Sequence, residues 1–187
     1  LEDVIPICDG DSDYSFSMLE LLTELMPNSY WVTMYNKKCA IEGGTPLEQE
    51  APPLPPFLFL PYTGHMASLR FLNGEQVKIF IMGNKAGADH THEDKGSFVL
   101  EFAGETFAMD PGICDYENPI HYEYKSCQRH NMLVPVGMTE RAHPLRPVPF
   151  DVKPKGEGDA TAFRATIDAT PGWPGYYKKS VSYTHLR

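Results

Sequence analysis

Hydrophobic and polar positions recur with two different periods along this chain, and the change falls near residue 55. Before it the spacing is helical. Phe16, Leu19, Leu22 and Met26 recur every three or four positions within residues 14–27, which predicts a helix there. Asp11 or Ser12 is placed to cap its start, and Pro27 ends it. A second, weaker helix is predicted over about residues 29–40. Residues 43–56 are rich in Gly and Pro and finish in Ala-Pro-Pro-Leu-Pro-Pro, which reads as a loop and a boundary.

After the Pro run the period drops to two. Strands are predicted at 57–61, 66–72, 76–82, 97–102, 105–109, 131–136, 147–153, 160–168 and 176–183. Phe98, Leu100 and Phe102 share one face, and Ala103-Gly104 turns the chain into the next strand as a hairpin. Many short strands joined by tight turns predict a mainly β fold, an antiparallel β-sandwich. A short helical segment, residues 1–52, precedes the sandwich of residues 53–187.

Composition agrees with this picture and narrows it. Among 187 residues, 42% are hydrophobic, enough for a packed core, and 12% are aromatic, which favours strands. Sixteen basic against twenty-five acidic side chains argue against a duplex nucleic-acid binder, since phosphate contacts need Lys and Arg. The net charge of −9 is uneven: residues 1–50 hold ten acids and two bases, leaving fifteen and fourteen for 51–187. The larger region is therefore near neutral and would not repel a polyanion. No run of 18 apolar residues suggests a membrane-spanning helix. Cys8, Cys39, Cys114 and Cys127 form no CxxC pair; Cys114 and Cys127 are either a disulfide of an oxidising compartment or buried thiols.

The chemistry concentrates between Asn84 and Pro135. Asp89-His90-Thr91-His92-Glu93-Asp94 is followed by Met109-Asp110-Pro111-Gly112 and then by Arg129-His130-Asn131. In an extended segment His90 and His92 point to the same face. Asp110 falls where the hairpin ends, and His130 opens the next apolar run. Two or three imidazoles and one carboxylate on neighbouring strands suit Zn²⁺. Taken singly, an HxH pair is as well explained by surface histidines. Lys85 and Arg129 flank the group and could meet sulfate or carboxylate; Arg129 could equally pair with Glu93 or Asp94. Asn131 is expected to bond nearby backbone. His65, His121 and His143 are expected at the surface, and Trp31 and Trp173 as packing aromatics.

Together, His90-Thr-His92-Glu-Asp-Lys-Gly96-Ser97-Phe98-Val-Leu, Phe107-Ala-Met-Asp110-Pro111-Gly112 and Arg129-His130-Asn131-Met-Leu-Val resemble the C-terminal sandwich of the heparinase II/III-like polysaccharide lyases. The order of the three motifs is more specific than any one of them. The resemblance implies an enzyme with an N-terminal α/α toroid and a C-terminal sandwich, which cleaves uronic-acid glycans (heparin-like or alginate-like) by β-elimination. It implies that His90 reaches into the cleft and that His92, Asp110 and His130 hold a structural zinc ion. It further implies a site tyrosine after the Asp-Pro-Gly motif, for which Tyr116 is the nearest candidate beside Tyr122 and Tyr124. A periplasmic or secreted location and an acidic glycan partner follow from the same resemblance. On this reading residues 1–52 are a connector or the tail of the toroid, and the chain is a fragment cut at both ends. Its last residues, Val181–Arg187, look like read-through sequence, so His185 carries no expected role. The alternatives are a non-catalytic, metal-stabilised module binding acidic glycan or a protein, and a zinc hydrolase with Glu93 as base.

Overall fold

A computed structural model describes residues 15–83, 92–134 and 154–168, with the backbone of 181–184. The chain divides into two compact units, the first ending at Leu54 and the second running from Pro55 onward in its described part.

The first unit is a pair of helices, α1 (Phe16–Leu25) and α2 (Trp31–Glu42). Ser15 caps α1 by accepting a hydrogen bond from the Met18 N–H at 3.2 Å, pairing one of the amides that a helix start leaves open. Leu19 packs with Met34, Tyr35 and Cys39, and Phe16, Trp31 and Leu47 close over them. Met26, predicted on the buried face, is exposed, and Thr23 is buried in that part of the helix. Leu47 is pinned back onto α2 by both ends of the Asn36 amide, at 3.0 and 2.8 Å.

The second unit is built from two antiparallel sheets. β1 (Phe57–Phe59), β2 (Met66–Leu72), β3 (Glu75–Ile81), β4 (Phe98–Phe102) and β5 (Glu105–Ala108) lie side by side in chain order. The β2–β3 and β4–β5 turns have both central residues at positive φ: Asn73 (53°) with Gly74 (87°), and Ala103 (51°) with Gly104 (82°). This is the turn form whose twist matches that of paired strands. The second sheet consists of β6 (Lys155–Gly158), β7 (Phe163–Ile167) and β8 (Val181–Thr184).

The sheets meet through Met66 and Ile81 on one side and Phe163, Ala165 and Ile167 on the other, with Phe57, Phe59, Ile79 and Phe98 around them. Alternation along β7 puts Phe163, Ala165 and Ile167 in the seam and leaves Arg164 outside. Opposite β1 the strand β6 must be thin. A Cβ on Gly156 would come within 2.7 Å of Met66 Sδ, and one on Gly158 within 2.7 Å of the Phe57 ring. Arg70 ties the sheets together at the margin. It donates to Asp159 O at 2.7 Å and lies 5.2 Å over the Phe163 ring.

The sandwich architecture and the Ala103-Gly104 hairpin match the sequence-based expectation. Two details differ. The Lys-Gly-Glu-Gly strand β6 was not expected, because it offers no apolar residue to reveal it. The strand expected at 131–136 is absent from 131–134. There the Asn131 and Met132 amides are taken by Ser97 Oγ and His130 O, so no ladder forms. The strand expected at 147–153 and most of that at 176–183 lie outside the described residues.

Candidate metal centre

Three separate loops meet at one end of the larger sheet. The first, His92–Ser97, leads into β4. Its turn is closed by Ser97 N–H to Asp94 O at 2.7 Å and by Gly96 N–H to Met82 O at 2.8 Å. Gly96 sits at φ 92°, where a side chain would be strained. The second loop follows β5 and carries Asp110. Because Pro111 has no amide hydrogen, the next donor is Gly112 N–H, which binds Asp110 Oδ1 at 2.9 Å. That bond occupies Oδ1 and aims Oδ2 elsewhere. The third segment is a short helix α3 (His121–Tyr124) and a 3-10 turn (Cys127–Arg129), which ends at His130.

His92, Asp110 and His130 are all buried, at 2%, 5% and 7% exposure. One donor atom from each lies within 4.8 Å of the others. Asp110 Oδ2 is 3.3 Å from His130 Nδ1, and the two imidazole rings are 5.3 Å apart. Among the described residues, neither ring nitrogen of His130 nor Asp110 Oδ2 has a hydrogen-bond partner. Leaving such groups buried and unmatched costs about 1–3 kcal/mol each. Two imidazoles and a carboxylate, buried and converging on one point, fit a divalent cation that takes nitrogen and oxygen ligands.

A second layer holds these three side chains. Asn131 Nδ2 donates to Phe98 O at 2.9 Å and to Met109 O at 2.8 Å, while its backbone N–H donates to Ser97 Oγ at 3.1 Å. One side chain thus ties the neighbour of His130 to the neighbour of Asp110. Asn131 does what its sequence position suggested, but it reaches two loops at once. Ser97 and Glu93 were not foreseen as supports; their adjacency to the motif residues was the only available signal.

The other expected site residues fall as follows. His90 and Lys85 lie outside the described residues, as do His143, Trp173 and Cys8. Tyr116 is half exposed. Its ring lies 4.6 Å from that of His121, and Lys125 Nζ stands 5.6 Å from its centre. Tyr122 is exposed and Tyr124 half-buried. His121, expected at the surface, is 3% exposed, because α3 turns it inward beneath Tyr116. Arg129, for which Glu93 or Asp94 was a candidate partner, pairs with Glu123 at 2.7 Å on the surface; Glu93 and Asp94 are fully buried. Cys114 and Cys127 are free thiols. Burial, and next the Glu93 carboxylate, push the Cys127 thiol up to about 12.

Comparison with known proteins bears on the fold that carries this geometry. No curated protein matches the sequence. Among solved structures, a heparinase III aligns with a TM-score of 0.61 and 18% identity, over 88% of this chain and 26% of its own. The heparan sulfate lyase HepC from Pedobacter heparinus aligns at 0.60 and 18%, over 93% and 26%. A heparinase III described as the BT4657 gene product aligns at 0.63 and 14%, over 98% and 27%. At these identities the likeness is one of fold, and the chain spans about a quarter of the length of each. The sequence family described as "Heparinase II/III-like, C-terminal" matches residues 53–187. That match covers more than two thirds of the chain, which therefore belongs to the heparinase II/III-like family.

Proposed function

We propose that this chain is part of a polysaccharide lyase that cleaves uronic-acid-containing glycans by β-elimination, with a structural zinc ion held by His92, Asp110 and His130. The observation that carries the reading is the convergence of those three buried side chains within a domain that matches the family. When bound, the ion supplies positive charge that satisfies the buried donor atoms and pins the loops together. Residues 1–52 serve as the connector to, or tail of, an α/α toroid that supplies the other half of the catalytic groups.

The chemistry sets three requirements: neutralising the uronate carboxylate, removing the C5 proton, and protonating the departing O4. The C5–H is a weak carbon acid, so the charge that develops on the carboxylate must be met by donors or cations. His90, two positions before a metal ligand, serves as the base or as the charge-neutralising group, according to its protonation. Tyr116 moves a proton at its phenol oxygen, and its half-exposed ring is consistent with reaching a sugar. Lys85 and Arg129 meet carboxylate or sulfate groups of the chain. Arg129 must then leave the exposed Glu123 pair, a contact worth little in water.

Two measurements test the reading. Zinc content of His92→Ala and His90→Ala is expected to be lost in the first and kept in the second. Equal loss in both would make His90 a ligand and remove its catalytic role. An assay for unsaturated product, by near-ultraviolet absorbance on heparan sulfate and on alginate, is expected to stay silent for the 187 residues and to respond when a toroid is present. Silence in both would favour a non-catalytic, metal-stabilised module that binds acidic glycan.

A further inference from the structure

Glu93 follows a proposed metal ligand directly and is fully buried. It is fastened at two points to the segment that presents His130. Its backbone N–H donates to Lys125 O at 2.8 Å, and its Oε2 accepts the Cys127 N–H at 2.9 Å. Cys127 opens the 3-10 turn, and that turn closes on His130 N–H to Cys127 O at 3.3 Å. A continuous path of hydrogen bonds therefore runs from the residue beside His92 to His130 itself. A carboxylate oxygen accepting a buried backbone amide is a directional link that holds the two segments at a set distance. Glu93 Oε2 is engaged with that amide, which sets the side chain as a strut between the two segments.

We propose that Glu93 is a positioning residue that fixes the separation of His92 and His130 and so sets the affinity of the centre for a divalent cation. The proposal rests on the metal reading above. Asn131 links Asp110 to His130, and Glu93 links His92 to His130; together they hold all three ligands to one another. Groups that orient metal ligands typically change affinity by roughly 10- to 100-fold when removed.

The test uses the full chain, with Zn²⁺ affinity measured by competition against a chromophoric chelator. Co²⁺ visible absorption reports ligand geometry, and amide exchange is followed at Cys127. Glu93→Ala, at a temperature where circular dichroism shows it folded, is expected to bind Zn²⁺ roughly 10- to 100-fold more weakly. Its Co²⁺ bands should shift, and its Cys127 amide should exchange faster. Glu93→Gln keeps an oxygen acceptor at the same reach and is expected to recover most of the affinity. Glu93→Asp keeps the charge but shortens the arm, and is expected to fall at least tenfold; it and Glu93→Gln decide the matter if Glu93→Ala does not fold. Wild-type affinity in Glu93→Ala or Glu93→Asp overturns the proposal, as does a Glu93→Gln as weak as Glu93→Ala. A wild-type chain that takes up no Zn²⁺ overturns the metal reading itself, and this inference with it.

Discussion

Met66, Ile81, Phe163, Ala165 and Ile167 close the seam between the sheets with apolar side chains alone. At the end of the same sheet His92, Glu93, Asp94, Ser97, Asp110 and His130 are buried to a similar degree, yet every one is polar or charged. The two regions touch: a Cβ on Gly96 would lie 3.6 Å from Ile167. They are held in different ways. The seam is held by removal of apolar surface from water, which is non-directional and tolerates small shifts. The polar cluster is held by directional hydrogen bonds, and His92, Asp110 and His130 converge where a cation would sit. The seam should therefore depend on packing volume, and the cluster on what it binds.

The largest expected effect falls on the seam. Ile167→Ala or Met66→Ala should lose about 2–5 kcal/mol of stability by denaturant titration, with or without a chelator present. A loss that disappears in chelator would show that the two regions are one energetic unit, and would break the comparison. Next comes the cation. Removing it should lower stability by about 2.7 kcal/mol when the metal had stood at one hundred times its dissociation constant, seen as a metal-dependent Tm. His130→Ala should abolish that dependence while leaving the seam variants' losses unchanged.

Asn131→Ala should cost about 1–3 kcal/mol, because Phe98 O and Met109 O lose a shared buried donor. Its Zn²⁺ affinity should fall as well, which separates it from a seam variant of equal cost. A smaller effect is kinetic. The thiolate is the reactive form, and the Cys127 thiol, fully buried, is pushed up to about 12. Iodoacetamide at pH 8 should label Cys114 well before Cys127, as read by peptide mass. Equal rates would mean that the polar cluster opens readily. The raised value also means that this thiol favours the folded state below its usual 9.0 and ceases to do so as pH climbs toward about 12.

The smallest effect is at the β6–β7 turn. Amides of Ala162 and Thr161, with the Thr161 hydroxyl, hold the Asp159 carboxyl down to about 2 from its usual 3.8. Its contribution is complete above pH 4 and is lost as pH falls toward 2. Asp159→Asn should lower stability slightly at neutral pH and flatten the acid limb, so that the variant and the wild type converge as pH approaches 2.

Legibility in the sequence follows the same division. The seam strand β7 announces itself because Phe163, Ala165 and Ile167 alternate with Arg164 and Thr166. β6 escapes notice because close packing against Met66 and Phe57 demands glycine, and glycine leaves no periodic trace. The triad is legible only as motifs. Nothing in the spacing of positions 92, 110 and 130 states that three loops converge, and the resemblance supplied that link. The supports are harder still. A carboxylate such as Glu93 looks like a solvated surface charge until its backbone neighbours are seen. His121 misleads in the same way, since a single turn of α3 decides whether it faces water or the underside of Tyr116.

The strands of the larger sheet lie in chain order, and those of the smaller sheet all come after them. During synthesis, residues 57–108 emerge before the smaller sheet, and two of their four strand pairings are hairpins with left-handed turns. Such local pairs form rapidly, whereas contacts with residues far along the chain wait. The nascent sheet must therefore present Met66 and Ile81 uncovered until β7 has been made. For that interval it is a sticky surface, the kind that drives self-association of partly made chains. Pulse-labelled amide exchange should find β2, β3 and β4 protected before β7, and a chain stopped before residue 155 should aggregate where the longer one stays dispersed.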